Sequence, residues 1–244
     1  MNTIILFPDE IAGDGRVCLE GRRADHIHTI LGADIGKSVR VGVLNGGRGT
    51  GTIQSNDDKK VVLSCVIDQP PPPESRVDLL LAMPRPLVLK RLWPQVTAMG
   101  VRRVILTNAN KVERSYFDSH WNRPDYYRER MIEGLEQTGD TRLPEVQIKK
   151  RLKIFLEDEL DDMFPDSRRV MAHPEPDARP RVFMPKNRER MLIAVGPEGG
   201  WTDYELDLFA AHGFARASLG WRVLRTETAC VALLALAGMT ERTQ

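Results

Sequence analysis

Two short stretches carry residue types that could do chemistry. The first, "LIAVGPEGGWTDYELDLF" at residues 192–209, runs from an apolar segment through a glycine-rich turn into a helical pattern, the layout of a phosphate-binding loop. The details argue against a phosphate. GPEGGW matches neither G-x-x-x-x-G-K-[ST] nor G-x-G-x-x-G, no lysine follows, and Pro197 removes a backbone donor. Thr202 and Glu205 have capping-box spacing, which occupies amides that an anion would need. Two readings remain: a capped wall where Gly196, Gly199 and Gly200 let a flat ligand approach the backbone, or a tight turn that binds nothing. The second stretch, "LGWRVLRTETACVALLALAGM" at 219–239, puts Arg225, Thr226, Glu227 and Thr228 ahead of a helix that is apolar on nearly every face. Such a helix must be buried, in a core or against a second subunit. The charges before it either serve a site or pair with each other, Arg225 with Glu227.

The elements that position these loops follow from pattern. Residues 1–70 contain short alternating runs turned at Asn45-Gly46-Gly47 and Asn56-Asp57-Asp58, which predicts a small β-rich module. The run "QPPPPES" at 69–75 favours an extended polyproline conformation, so 71–75 reads as a semi-rigid linker and 76–244 as a second domain. There, apolar runs at 77–83, 101–107, 145–148, 168–173, 191–195 and 215–219 are separated mostly by helical stretches, including "PDYYRERMIEGLEQTG" and "RLKIFLEDELDDMF". Strands alternating with helices predict a parallel α/β sheet covered on both faces. Pro94 lies inside an otherwise helical run and must either kink that helix or begin a new one.

Composition narrows the function. The 244 residues carry a net charge of +1, which gives no support for indiscriminate polyanion binding, but residues 76–153 hold 16 basic against 9 acidic side chains. Cys18, Cys65 and Cys230 are odd in number and lack C-x-x-C spacing, which suggests neither a disulfide framework nor a zinc site. His26 and His28, taken as lying on a strand, would face one side with no further ligand near in sequence, so no metal is expected. The N-terminus has no basic lead and no stretch is long and apolar enough for a membrane span, so a soluble cytoplasmic protein is expected.

GPEGG and LGWRVLRTETA, at this separation near the end of an α/β domain, resemble the motifs of the RsmE-type 16S ribosomal RNA uridine-N3 methyltransferases of the SPOUT superfamily. "NANKVERSYF" (108–117), "EQTGDTRLPEV" (136–146), "MAHPEP" (171–176) and "DHIHTILGADIGKSVRVGVLNG" (25–46) are similar to further blocks of that family, so the resemblance covers nearly the whole chain. Pro94 and Gln95 depart from it, in a helix that is usually continuous. The resemblance implies a SPOUT-type parallel sheet with a C-terminal deep trefoil knot, preceded by a PUA-like RNA-binding β-barrel, and a homodimer. It also implies S-adenosylmethionine bound by Met171, Ala172, His173, Gly196, Gly199, Gly200, Leu219, Val223, Leu224, Thr226 and Thr228.

The implied reaction needs the N3 proton of uracil removed and the resulting anion stabilised. Arg225 is the candidate for the second task, and Glu198 or Glu227 for the first; the sequence does not choose between them. Arg22, Arg23, Lys111, Arg114, Arg123, Arg128 and Arg142 are candidate contacts to ribosomal RNA, with the assembled small subunit as the expected partner. A Rossmann enzyme is excluded because its glycine fingerprint would follow the first strand of the domain, where this chain reads LLLAMPRPL. A non-catalytic RNA-binding paralogue is the alternative; intact glycine-rich and charged C-terminal loops weigh against it.

Overall fold

The computed structural model describes residues 3–31, 34–57, 59–174 and 189–238. The chain divides into two compact units, Met1–Glu74 with Ile132–Leu143, and Ser75–Met131 with Pro144–Gln244.

The first unit is built on five strands, β1 (Ile4–Leu6), β2 (Arg16–Glu20), β3 (Ser38–Val43), β4 (Arg48–Asn56) and β5 (Lys60–Gln69), in the order β1-β3-β4-β5-β2. The β1–β3 pair is parallel and the others antiparallel. Alternation decides which side is buried: in β2, Val17 and Leu19 face inward and Arg16, Cys18 and Glu20 outward. Asn45 takes the left-handed turn conformation, φ 58°, between β3 and β4. Leu6, Leu19, Ile27, Ile53, Val61 and Leu63 are fully buried together. One expectation fails here. His26 ends a helix, α1 (Arg22–His26), and His28 lies in the π-helical turn Ile27–Leu31 that continues it, so neither is on a strand. Helical geometry turns residues two apart to different sides, and His28 Nε2 hydrogen-bonds Asn56 Oδ1 instead of sharing a ligand with His26.

The second unit contains β6 (Val77–Ala82), α2 (Pro86–Ala98), β7 (Arg103–Thr107), the start of α3 (Pro124–Thr138), β8 (Glu145–Lys149), the short helices α4 (Leu152–Ile154) and α5 (Leu160–Met163), β9 (Ser167–Ala172), β10 (Arg190–Val195), α6 (Asp203–Ala211), β11 (Ala215–Ala217) and α7 (Thr226–Gly238). The six strands form one parallel sheet, β11-β9-β10-β6-β7-β8. Each strand falls on one of the apolar runs of the sequence, as expected for strands covered on both faces; every residue of β6 is buried. That includes Asp78, whose carboxylate accepts from Arg102 Nε at 3.0 Å and Nη2 at 2.7 Å. A buried carboxylate needs such a bidentate partner.

Helix α2 passes through Pro94 without ending, so Pro94 begins no new helix. The ring supplies no amide proton for the Lys90 carbonyl one turn earlier. Buried Leu89, Leu92, Trp93 and Val96 anchor the helix on both sides of that gap. Helix α7 packs on α2, β10 and β6 through Cys230, Leu233, Leu234 and Ala237, leaving Val231, Ala232 and Leu236 half-buried and Ala235 exposed.

Burial pushes the Cys230 thiol up to about 12, with the Glu227 charge adding to the effect, and pushes Cys65 up to about 11, whereas Cys18 is exposed. Iodoacetamide at pH 8 should therefore modify one thiol quickly in the native protein, a reaction that Cys18→Ser removes, with the other two reacting only after unfolding in urea. Two fast thiols in a mass-spectrometric time course would contradict the packing described.

Candidate functional site

In the sheet of the second unit the chain moves outward from β6 through β7 to β8, then returns on the other side to β9, with β10 inserted between β9 and β6. Crevices outside the carboxyl ends of parallel strands at such a reversal are the usual ligand sites of open α/β sheets. A cleft of about 350 Å³ lies there, at the ends of β9, β10 and β11. Its walls are the end of β9 (Ala172, His173), the glycine loop 196–200, and the loop after β11, including Leu219, Arg222, Val223 and Leu224, with Ala229 and Leu233 of α7 at the base.

Hydrogen bonds from distant segments fix the glycine loop. The Glu205 side chain is 5% exposed; its Oε2 accepts from Thr202 N at 2.8 Å and Thr202 Oγ1 at 2.9 Å, and its Oε1 from Asn110 N at 2.7 Å. The Glu205 amide donates to Thr202 Oγ1 at 3.4 Å, completing the capping box foreseen from the sequence. Asn110 is thereby held beside the start of α6, and its neighbour Lys111 reaches the loop: Nζ donates to the Gly199 carbonyl at 2.9 Å. A β-carbon on Gly199 would lie 3.0 Å from Lys111 Cδ, so a side chain there crowds Lys111, while Gly200 needs glycine for its φ of +70°. Thr226 Oγ1 donates to the Gly196 carbonyl at 3.4 Å, joining the first turn of α7 to the other end of the loop.

Of the residues expected around a cofactor, Ala172, His173, Gly196, Gly199, Gly200, Leu219, Val223, Leu224 and Thr226 line the cleft. Met171 is fully buried one position behind the wall, and Thr228 is exposed and outside the lining. Glu198 lines the cleft, and its Oε1 accepts from the Arg85 amide at 3.2 Å. Glu227 does not line it; its carboxylate pairs with Arg91 Nη2 of α2 at 3.1 Å. The Arg225–Glu227 pair considered from sequence is therefore replaced by Arg91–Glu227, and Arg225 is exposed just ahead of α7, outside the cleft lining. Sequence reasoning missed Arg222 and Trp201 as wall residues, although both stood inside the quoted motifs. Lys111, a candidate RNA contact, lines the cleft wall, where its own bond to Gly199 and the long-range Glu205–Asn110 bond of its neighbour hold it.

The other candidate RNA contacts differ in their surroundings. Arg22 forms two hydrogen bonds to Glu136, at 2.8 and 3.1 Å. Arg23 is held by Glu10 and the Ile5 carbonyl, and Arg142 Nε donates to the Pro72 carbonyl at 2.5 Å. Arg114, Arg123 and Arg128 are exposed on the second unit.

A parallel α/β sheet whose switch-point cleft is walled by a capped glycine loop and by apolar side chains defines a ligand-binding domain that does not depend on a triphosphate loop. The model of the RNA methyltransferase domain family matches residues 71–238, and the chain belongs to that family. It is 29% identical to the ribosomal RNA small subunit methyltransferase E of Treponema pallidum, over 96% of this chain and 89% of that protein. It is 27% identical to the ribosomal RNA small subunit methyltransferase E 1 of Borreliella burgdorferi, over 88% of this chain and 89% of the other. In fold it is similar to the ribosomal RNA small subunit methyltransferase E of Neisseria gonorrhoeae bound to S-adenosyl methionine, with a TM-score of 0.73 and 20% identity over 96% of this chain and 95% of the other. A methyltransferase from Legionella pneumophila in complex with the cofactor SAM gives 0.75 and 21%, over 97% of each chain.

Because Glu205 satisfies two backbone amides in a buried position, Glu205→Ala should destabilise the protein by roughly 2–4 kcal/mol, read as a lower urea midpoint at unchanged m-value. A loss below about 0.5 kcal/mol, the usual range for surface changes, would show that the bridge to Asn110 does not hold the loop.

Proposed function

We propose that this chain is an S-adenosylmethionine-dependent methyltransferase acting on N3 of one uridine in 16S ribosomal RNA of the small subunit, in the cytoplasm. The observation that carries the reading is the cleft itself, assembled from GPEGG and LGWRVLRT in a chain of the RNA methyltransferase domain family. The cleft fits an adenosyl ligand. Its volume falls at the lower end of the range for small-molecule sites, Leu219, Val223, Leu224 and Leu233 offer apolar contact to a flat base, and the glycine loop offers backbone groups to its edge. His173 Nδ1, in a residue of the wall, has no hydrogen-bond partner among the described residues. S-adenosylmethionine, when bound, supplies an electrophilic methyl group carried on a sulfonium.

The protein's part is alignment and preparation of the nucleophile. A wall that held the sulfonium charge tightly would favour the ground state, so the rate rests on alignment. N3 of uracil is a poor nucleophile until its proton leaves. In this reading Glu198 is the base: it lines the cleft, and with Oε1 bonded to the Arg85 amide its Oε2 is left to take the proton. Arg225 stabilises the anion that develops on the uracil oxygens. Glu227, paired with Arg91, ties α7 to α2. Strand β10 inserted between β9 and β6, and the cleft made from three successive loops, support the deep trefoil knot, while the five-stranded N-terminal sheet supports a PUA-like barrel. The apolar residues of α7 that are not fully buried, and Leu87 exposed at 65% on α2, support a homodimer.

Calorimetric titration with S-adenosylmethionine tests the cofactor half. Wild type should bind, Gly199→Val should weaken binding at least ~10-fold by driving the side chain into Lys111, and Arg225→Ala should bind within about 2-fold. No binding by wild type, with or without RNA, would leave a non-catalytic RNA-binding protein. For the acceptor half, small subunits from a strain lacking the gene are incubated with enzyme and cofactor, and the nucleosides are analysed by mass spectrometry. N3-methyluridine should appear with wild type and fall ~100-fold or more in rate with Glu198→Gln. A different methylated nucleoside would refute the assignment.

A further inference from the structure

Outside the cleft, the second unit carries aromatic rings at its surface with a cation packed on them. His120 and Trp121 occupy the short 3-10 turn His120–Asn122, and Tyr126 is in the first turn of α3. The His120 ring lies 4.3 Å from Trp121 and 4.9 Å from Tyr126, and Trp121 lies 5.8 Å from Tyr126, centroid to centroid. Lys90 of α2 places Nζ 4.6 Å from the Trp121 centroid. His120 is exposed and Tyr126 is 42% exposed.

The base beneath these rings is fixed. Trp93, fully buried on α2, donates its indole N–H to the Trp121 carbonyl at 3.1 Å and packs against Tyr127 at 5.2 Å, while Asn122 Nδ2 donates to the Tyr116 carbonyl at 2.9 Å. The rings are thus held in place by contacts other than their own burial. Arg123 and Arg128 are exposed along the same segment, as are Asp118, Asp125 and Glu129.

Rings at the surface, one carrying Lys90 and all lying along a segment where arginines alternate with Asp118, Asp125 and Glu129, suit a ligand that offers flat π-faces as well as charge, which is single-stranded nucleic acid. A charged protein tail, basic or acidic, would satisfy the charged side chains of this segment without using the rings. The cluster is also close to the cleft in chain terms. Lys111, on the cleft wall, is nine residues before His120, which limits the separation to at most ~30 Å.

We propose that His120 and Tyr126, backed by Trp121 and Lys90, form a stacking platform for unpaired bases that flank the methyl-acceptor nucleotide. Bases stack on the rings irrespective of identity, while Arg123 and Arg128 contact the phosphates between them. The platform positions RNA and takes no part in the chemistry. The proposal rests on the methyltransferase reading above.

The test is fluorescence anisotropy with a labelled twelve-nucleotide oligouridylate, and with the same strand annealed to oligoadenylate, alongside calorimetry with S-adenosylmethionine. The His120→Ala/Tyr126→Ala double variant should bind the single strand roughly 10-fold more weakly and the duplex as wild type does, because only unpaired bases offer their faces. Tyr126→Phe, which keeps the ring, should bind like wild type. Lys90→Gln should lower the slope of log affinity against log salt by about 1. Cofactor affinity should be unchanged in all of them. Wild-type oligouridylate binding by the double variant, equal losses on single strand and duplex, or no oligouridylate binding by wild type would each overturn the platform. Failure of wild type to bind S-adenosylmethionine would instead defeat the methyltransferase reading, and the anisotropy result would stand apart from it.

Discussion

The arrangement at the cleft depends on one buried carboxylate. Glu205 starts as a helix cap, a local device that any short sequence can encode, but its second oxygen is committed to the amide of Asn110, 95 positions away in the chain. A carboxylate at that depth is tolerated only if its lone pairs are used, and here backbone donors from two loops use them. That requirement ties the loop after β7 to the loop after β10, sets Lys111 against Gly199, and braces one wall of the cleft. Thr226 on Gly196 and Arg85 on Glu198 extend the same bracing to the other loops.

Charge is spent largely on structure of this kind. The excess of basic residues between 76 and 153 is not a uniform patch. Arg102 neutralises Asp78 inside the sheet, Arg103 pairs with Glu145, and Lys149 with Glu159. In the first unit Arg22 and Arg23 are likewise held by Glu136 and Glu10. An arginine held by two hydrogen bonds to a carboxylate is a poorer phosphate ligand than one facing solvent, as Arg114, Arg123 and Arg128 do.

How much of this could be read from the chain follows a physical rule. The six strands of the parallel sheet and the helices between them were legible, because burial on both faces writes continuous apolar runs that need no knowledge of partners. The capping box and the glycine loop were legible for the same reason, since their geometry closes within a few residues. What stayed hidden depends on distant partners. Nothing near Glu227 announces Arg91, nothing near Glu205 announces Asn110, and the aliphatic reach of Lys111 to Gly199 has no linear signature. His26 and His28 failed for a different reason: a short helical segment in a β-rich module was taken for strand, and the period of two does not survive in a helix.

Residues 132–143 belong with the N-terminal strands, although the proline run at 70–73 follows directly on the last of those strands. Helix α3 begins in one unit and ends in the other, Thr141 Oγ1 donates to the Gly46 carbonyl at 2.7 Å, and the Thr3 amide donates to the Glu136 carbonyl at 2.9 Å. The N-terminal module is therefore discontinuous in the gene. Recombination at the proline codons would transfer five strands without the segment whose Leu135 packs on Ile5 and Leu44.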